Sequence, residues 1–318
     1  MRLPALRFTL LPLLVALVLT ACHGKDDASK PGGSTPEAAV QASVDLLKAG
    51  DFNGLWKHAL PPADYTTMRT DWSQLQQNPQ PITAEDRARF NQATQALTGP
   101  DAENKLYAEL QPKLTTMEQQ YKDQLPVLVS VGAALLKNGV TQNKTLTGEQ
   151  KTQANAVLDV LTPWAQQTPW FDQAKAKQAV GVAVATARKL DLKTPEQLRA
   201  MDFDTTMTKY SLGFAGARQL LGIYGLSVDD TLNSIKVTPI ERTPLESSTG
   251  HARVKIDYTL LGKPLSTESK LVQQDGRWYS EDMLNNVRES HRQLSEQHNQ
   301  PARSASAPAA VGAAPAKD

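Results

Sequence analysis

The sequence predicts an α+β protein, predominantly α, with a helical domain inserted in or packed on a small domain that carries a three- to four-stranded antiparallel meander. Three observations predict it. Capping signals followed by helical spacing recur from Ser34 to Gly225. Strand alternation sets in near Ile235 and is clearest from Ala252 to Leu260. A helical stripe returns at Leu284 and continues to Leu294.

The first helix opens at Ser34-Thr35-Pro36-Glu37, which offers a capping hydroxyl, an early proline and a glutamate able to reach back. Val40, Val44 and Leu47 then share one face, and Gly50 supplies the stop. Asp51 caps a second short helix with Phe52, Leu55 and Trp56, ended by Pro61-Pro62. Thr83 caps a helix carrying Phe90, Ala93 and Leu97, closed at Gly99-Pro100. The run from Asp101 to Val140 contains Pro112 and Pro126, each expected to kink or divide a helix. Thr147-Gly148-Glu149-Gln150 forms a capping box, and Thr194-Pro195-Glu196-Gln197 repeats it. Asp204 is the expected cap of the helix bearing Met207, Tyr210 and Phe214, which stops at Gly225.

Three stretches are apolar and rich in small residues: Val127–Leu136, Ala179–Ala187 and Leu212–Ile223. None is long enough to span a bilayer, so each is expected to be a buried core helix. The alternative is that they line a pocket for a lipid or another apolar ligand. In the meander, Ala252, Val254, Ile256, Tyr258 and Leu260 alternate with polar residues, the pattern of a strand with one wet face. Gly262-Lys263-Pro264 turns the chain, and Asp275-Gly276 makes the next hairpin into Arg277-Trp278-Tyr279. A last helix has Leu284, Val287, His291 and Leu294 on one stripe. The expected division is a leader over 1–21, a flexible tether over 22–35, an α+β domain over 36–60 and 232–298, a helical domain over 61–231 and a disordered Ala/Pro tail over 299–318.

Charge excludes one class of partner. The chain holds 34 basic and 33 acidic residues and no basic block, so nucleic acid is not expected. The hydrophobic share of 40% allows a core held by packing alone.

The N-terminus carries the most specific motif. Arg2 and Arg7 precede an apolar run from Phe8 to Leu19, too short to span a membrane and suited to a secretory leader. It ends in Leu19-Thr20-Ala21-Cys22, and Cys22 is the one cysteine of the chain. This resembles the bacterial lipoprotein signal. The resemblance implies a diacylglycerol thioether at Cys22, cleavage before it and acylation of the new amino group, which fixes the protein to a membrane through lipid. His23 follows the cysteine where aspartate would imply inner-membrane retention, so the resemblance points to the outer membrane, facing the periplasm. With Cys22 acylated, no thiol is left for a disulfide or a thiolate metal site.

The helical start closed by Gly50-Asp51, with the late meander ending in Asp275-Gly276-Arg277-Trp278, resembles the two halves of a nuclear-transport-factor-two-like (cystatin-like) lipoprotein domain. That resemblance implies a helix wrapped by a curved antiparallel sheet. The intervening helical residues would then be an insertion.

Catalytic and metal chemistry find little support. His23, His58, His251, His291 and His298 form no ligand cluster at helical spacing. Ser130 lies inside a helical run and lacks the glycine-flanked setting of a nucleophile. Asp202-Phe203-Asp204-Thr205 matches a phosphoryl-transfer pattern but follows a short helix, which makes it a helix cap. Asp257 and His251 fall on the wet face of their strand. The expectation is a lipid-anchored periplasmic binding or scaffolding protein with an envelope protein as partner, without catalysis, cofactor or metal. The alternative is a carrier or sensor of an apolar ligand.

Overall fold

A computed structural model describes residues 29–77, 81–242 and 250–299, so Leu19–Cys22, His23 and the tail beyond Asn299 lie outside the described residues. The described residues are predominantly α, with twelve helices and a four-stranded antiparallel sheet in the order β1-β2-β3-β4. The helices are α1 (Pro36–Ala49), α2 (Phe52–Ala59), α3 (Pro62–Gln77), α4 (Ala84–Thr98), α5 (Ala102–Tyr121), α6 (Leu125–Gln142), α7 (Gly148–Gln167), α8 (Gln173–Leu190), α9 (Pro195–Arg199), α10 (Phe203–Ile223), α11 (Val228–Asn233) and α12 (Glu281–Asn299). The strands are β1 (Lys236–Arg242), β2 (His251–Leu260), β3 (Lys263–Gln274) and β4 (Arg277–Ser280).

The caps explain where the helices begin. Thr35 Oγ1 accepts from the Ala38 amide at 3.1 Å, and Gly50 ends α1 in the left-handed conformation at φ 70°. Asp51, Thr83 and Thr194 cap α2, α4 and α9, and Thr147 with Gln150 forms the reciprocal box on α7. The cap of α10 is Asp202, not Asp204. The helix therefore starts with Phe203, whose ring enters a core, and Asp204 sits in the first turn where the N-terminal dipole favours a carboxylate.

Two cores meet at β3. In the larger one, Ala39, Val40, Val44 and Leu47 of α1 pack on Val254, Ile256, Tyr258, Leu271 and Trp278 of the sheet. Residues near both ends of the described chain thus share one core, and Val157, Val160 and Leu161 of α7 close over it. The second core joins Leu60, Met68, Phe203 and Met207 to Val272 and Leu284. Leu271 and Val272 point to opposite faces, so this end of the sheet is covered on both sides.

Hairpin geometry fixes the sheet. Asp275 and Gly276 both have positive φ, 50° and 74°, as a two-residue turn with right-handed twist needs. The preceding turn is Leu261-Gly262, with φ 51° and 76°, while Lys263 and Pro264 are already in β3 opposite Leu260 and Thr259. The turn expected at Gly262-Lys263-Pro264 is thus one residue earlier. Pro264 is tolerated because it lies near the start of its strand.

The tether expected over 22–35 is corrected from Lys30 onward. Gly33 exchanges two backbone hydrogen bonds with Trp278, at 3.0 and 2.9 Å, extending the sheet edge. The Gly32 amide donates to the His58 carbonyl at 2.7 Å, and Arg277 donates to the carbonyls of Pro31 and Gly32. His58 is buried, with Nδ1 2.8 Å from the Lys30 carbonyl oxygen and Nε2 2.9 Å from that of Ala39. Both glycines are needed sterically. A Cβ at Gly33 would lie 2.0 Å from the Ala39 nitrogen, and one at Gly32 would strike the Tyr279 ring at 2.7 Å. Polar composition suggested a solvated linker, but two glycines let the backbone lie flat against β4.

Candidate functional site

Helix α6 departs most from expectation. Val127–Leu136 is the most continuously apolar described stretch, and it was expected in a core. No residue of α6 is buried. Val127 is 64% exposed, Leu135 67% and Leu136 60%, with Leu128 and Val131 about half exposed.

The packing of α6 explains this. Pro126 lacks the amide that would bond to Lys122, so the chain bends through Lys122–Gln124 and divides α5 from α6. Pro112, by contrast, is carried within α5. After the bend, α6 lies along α7, and polar groups join the two. Gln166 Nε2 donates to the Pro126 carbonyl at 3.1 Å and to Ser130 Oγ at 2.9 Å. Lys137 pairs with Asp159, and Lys151 Nζ donates to the Thr141 carbonyl at 2.9 Å. Val129, Ala133 and Val140 are half-buried on that side. The helix therefore turns Ser130 and Lys137 toward α7 and its most exposed apolar side chains, Val127, Leu128, Val131, Leu135 and Leu136, outward.

At 100° per residue, Leu128, Val131 and Leu135 form the line opposite α7, with Val127 and Leu136 beside it. No charged residue occurs from Gln124 through Leu136. The five exposed side chains present on the order of 500 Å² of apolar surface, within the size range at which such patches mark interaction sites.

Two glycines on α6 add to the observation. A helix-interior glycine costs about 1 kcal/mol relative to alanine. Gly216 on α10 has a reason within the chain, since its Cβ would meet Thr186 Oγ1 of α8 at 2.3 Å. Gly132 and Gly139 have open space where a Cβ would stand. Intramolecular packing does not require them.

The three small-residue stretches do not converge on one pocket. α8 and α10 pack on each other, while α6 packs on α7. A groove of about 290 Å³ lies instead between α4, α5 and α8, lined by Leu97, Leu106, Leu110, Val180 and Ala183 with Glu109 and Lys113 at its border. Only Val180 and Ala183 belong to a stretch singled out from the sequence.

The residues weighed for chemistry are held in structural roles. Asp202 accepts from the Thr205 amide at 2.9 Å and its hydroxyl at 2.7 Å, and these bonds hold its carboxyl below the usual range. Asp204 makes a two-point ion pair with Arg69, at 2.5 and 2.6 Å, which also holds its carboxyl low. Asp257 pairs with Lys255 at 2.9 Å on the wet face, and His251 is exposed at the far end of β2. Ser130 returns its hydroxyl to the Pro126 carbonyl at 2.9 Å. His291 Nδ1 lies 2.9 Å from the largely buried Asp71, joining α12 to α3. His298 lies outside the residues whose side chains are described, as does Cys22. Among the described residues no group of three His, Cys, Asp or Glu is placed to hold a metal ion, and no helix is long and apolar enough to cross a membrane.

No family model, curated protein or solved structure matches the chain.

Proposed function

We propose that this protein is a lipid-anchored scaffolding module of the bacterial envelope, held to the periplasmic face of the outer membrane through Cys22, which binds a protein partner through the outward face of α6. The exposed line Leu128–Val131–Leu135 carries the reading. Apolar side chains left in water on a helix whose polar side is already occupied are accounted for by a partner that covers them. Anchor and docking face are separate parts of the chain, so the proposal is tested in two steps.

Cys22→Ala is expected to abolish lipid labelling and membrane retention, and continued labelling removes the anchor. A photocrosslinking side chain at Val131 is expected to capture a protein in intact cells, and Leu135→Glu to abolish the capture. Capture that persists unchanged with Leu135→Glu removes the docking face. In this reading catalysis is absent.

The groove between α4, α5 and α8 supports a second reading, that of a carrier of a small apolar ligand. Its volume is near the lower end of ligand pockets. Native mass spectrometry of the chain after exposure to envelope extract is the check. A retained lipid mass favours the carrier, and an apo mass leaves the scaffold.

A further inference from the structure

We infer that the occupant of the α6 face is a second copy of this chain, docked antiparallel across a two-fold axis near Val131. The inference rests on the docking role proposed for α6 and commits it to a partner.

Order along the helix supports self-pairing. The midpoint of Leu128 and Leu135 falls between Val131 and Gly132, so reversing the helix about that point sets Leu128 of one copy against Leu135 of the other and Val131 beside Gly132. A two-fold interface needs this kind of self-complementary patch. The spacing of three and four residues is that of a helix-packing seam. Charge is compatible as well. The uncharged run from Gln124 through Leu136 brings no like charges together across the axis, and antiparallel helices oppose their dipoles favourably. Gly139 offers a flat surface beside the seam, with open space where its Cβ would be.

Area is compatible with self-pairing. Full cover of all five exposed side chains on both copies would bury at most on the order of 1,000 Å², the lower bound for a specific interface. A membrane surface fits less well. Helices that lie in a bilayer interface carry lysine and arginine on the polar side and aromatic residues on the other. The polar side of α6 is used on α7, its Lys137 is paired with Asp159, and it holds no aromatic residue.

The test is cysteine crosslinking of the full chain in membranes. Val131→Cys, next to the axis, is expected to give a disulfide-linked dimer under mild oxidation, each Sγ–H losing its hydrogen to the added oxidant as the S–S bond forms. The unsubstituted chain and Gln219→Cys, at an exposed position on α10, are expected to stay monomeric. Adding Leu128→Glu or Leu135→Glu to Val131→Cys is expected to reduce the dimer at least tenfold. A Val131→Cys chain that is folded by circular dichroism but stays monomeric overturns self-pairing. A mixed disulfide with a different protein overturns it too, while upholding α6 as a docking face. A chain that forms neither disulfide overturns self-pairing, and loss of the Val131 photocrosslink as well overturns the docking face.

Discussion

Ile256 in β2 and Leu135 in α6 are both large aliphatic residues in regular structure, and they meet opposite fates. Ile256 has no exposure, and Leu135 is 67% exposed. Around Ile256 the chain packs an α-helix, a sheet face and part of α7 into a dry core. Around Leu135 it offers α7 on one side and water on the other. Apolar residues in the sheet-centred region hold the fold, while those on the outward face of α6 contribute little to it. Stability and docking can therefore be changed independently.

The largest effect expected from breaking that contrast is in the core. Ile256→Ala should cost about 2–5 kcal/mol in denaturant unfolding, through lost burial and a residual cavity. Leu135→Ala should stay within about 0.5 kcal/mol of the parent. Equal costs would show that the two regions are not different in kind.

The pinned N-terminal segment comes next. His58→Ala removes the buried ring that lies between the carbonyls of Lys30 and Ala39 and should cost about 1–3 kcal/mol. Hydrogen exchange should quicken at Gly32 and Gly33, whose amides are bonded to His58 and Trp278. Protection that survives the substitution would mean that the edge pairing with Trp278 holds the segment alone.

The smallest effect sharpens the contrast from the surface. The Arg69–Asp204 pair joins α3 to α10, but both side chains are at least a third exposed, so Asp204→Asn should cost about 1 kcal/mol or less. Its carboxyl is held below the ordinary range, chiefly by the Arg69 hydrogen bond. The contribution is therefore complete above the unfolded value of about 3.9 and is lost as pH falls through the lower folded value. Acid titration of the Asp204→Asn chain should lack that step.

Much of the fold was legible because caps and alternation are local. Thr35, Asp51, Thr83, Thr147 and Thr194 mark helix starts through one side-chain hydrogen bond each, and β2 alternates without interruption. Helix α3 carries Tyr65, Met68 and Trp72 at helical spacing and opens on Pro62, a start signal masked by the preceding Pro61, which also marks the end of α2. The pinning of Lys30–Gly33 was not legible, because its partners are residues 58, 277 and 278. The candidate site was half legible. Apolarity identified Val127–Leu136, but the side of a helix that a neighbour covers is set by tertiary packing. Ser130, Lys137 and Thr141 could have shown that a polar line runs along one side of α6. No local rule says that this line faces α7.

The most direct test is thiol accessibility at Leu135→Cys. It compares the purified chain with the same chain in intact envelopes, with Ile256→Cys as the buried reference. Rapid maleimide labelling of Leu135→Cys is expected in the purified, dilute chain, strong protection in the envelope, and little labelling of Ile256→Cys in either. Slow labelling of Leu135→Cys at dilutions where the chain is monomeric would place α6 in a core, and equal fast labelling in both settings would leave its apolar face without a partner.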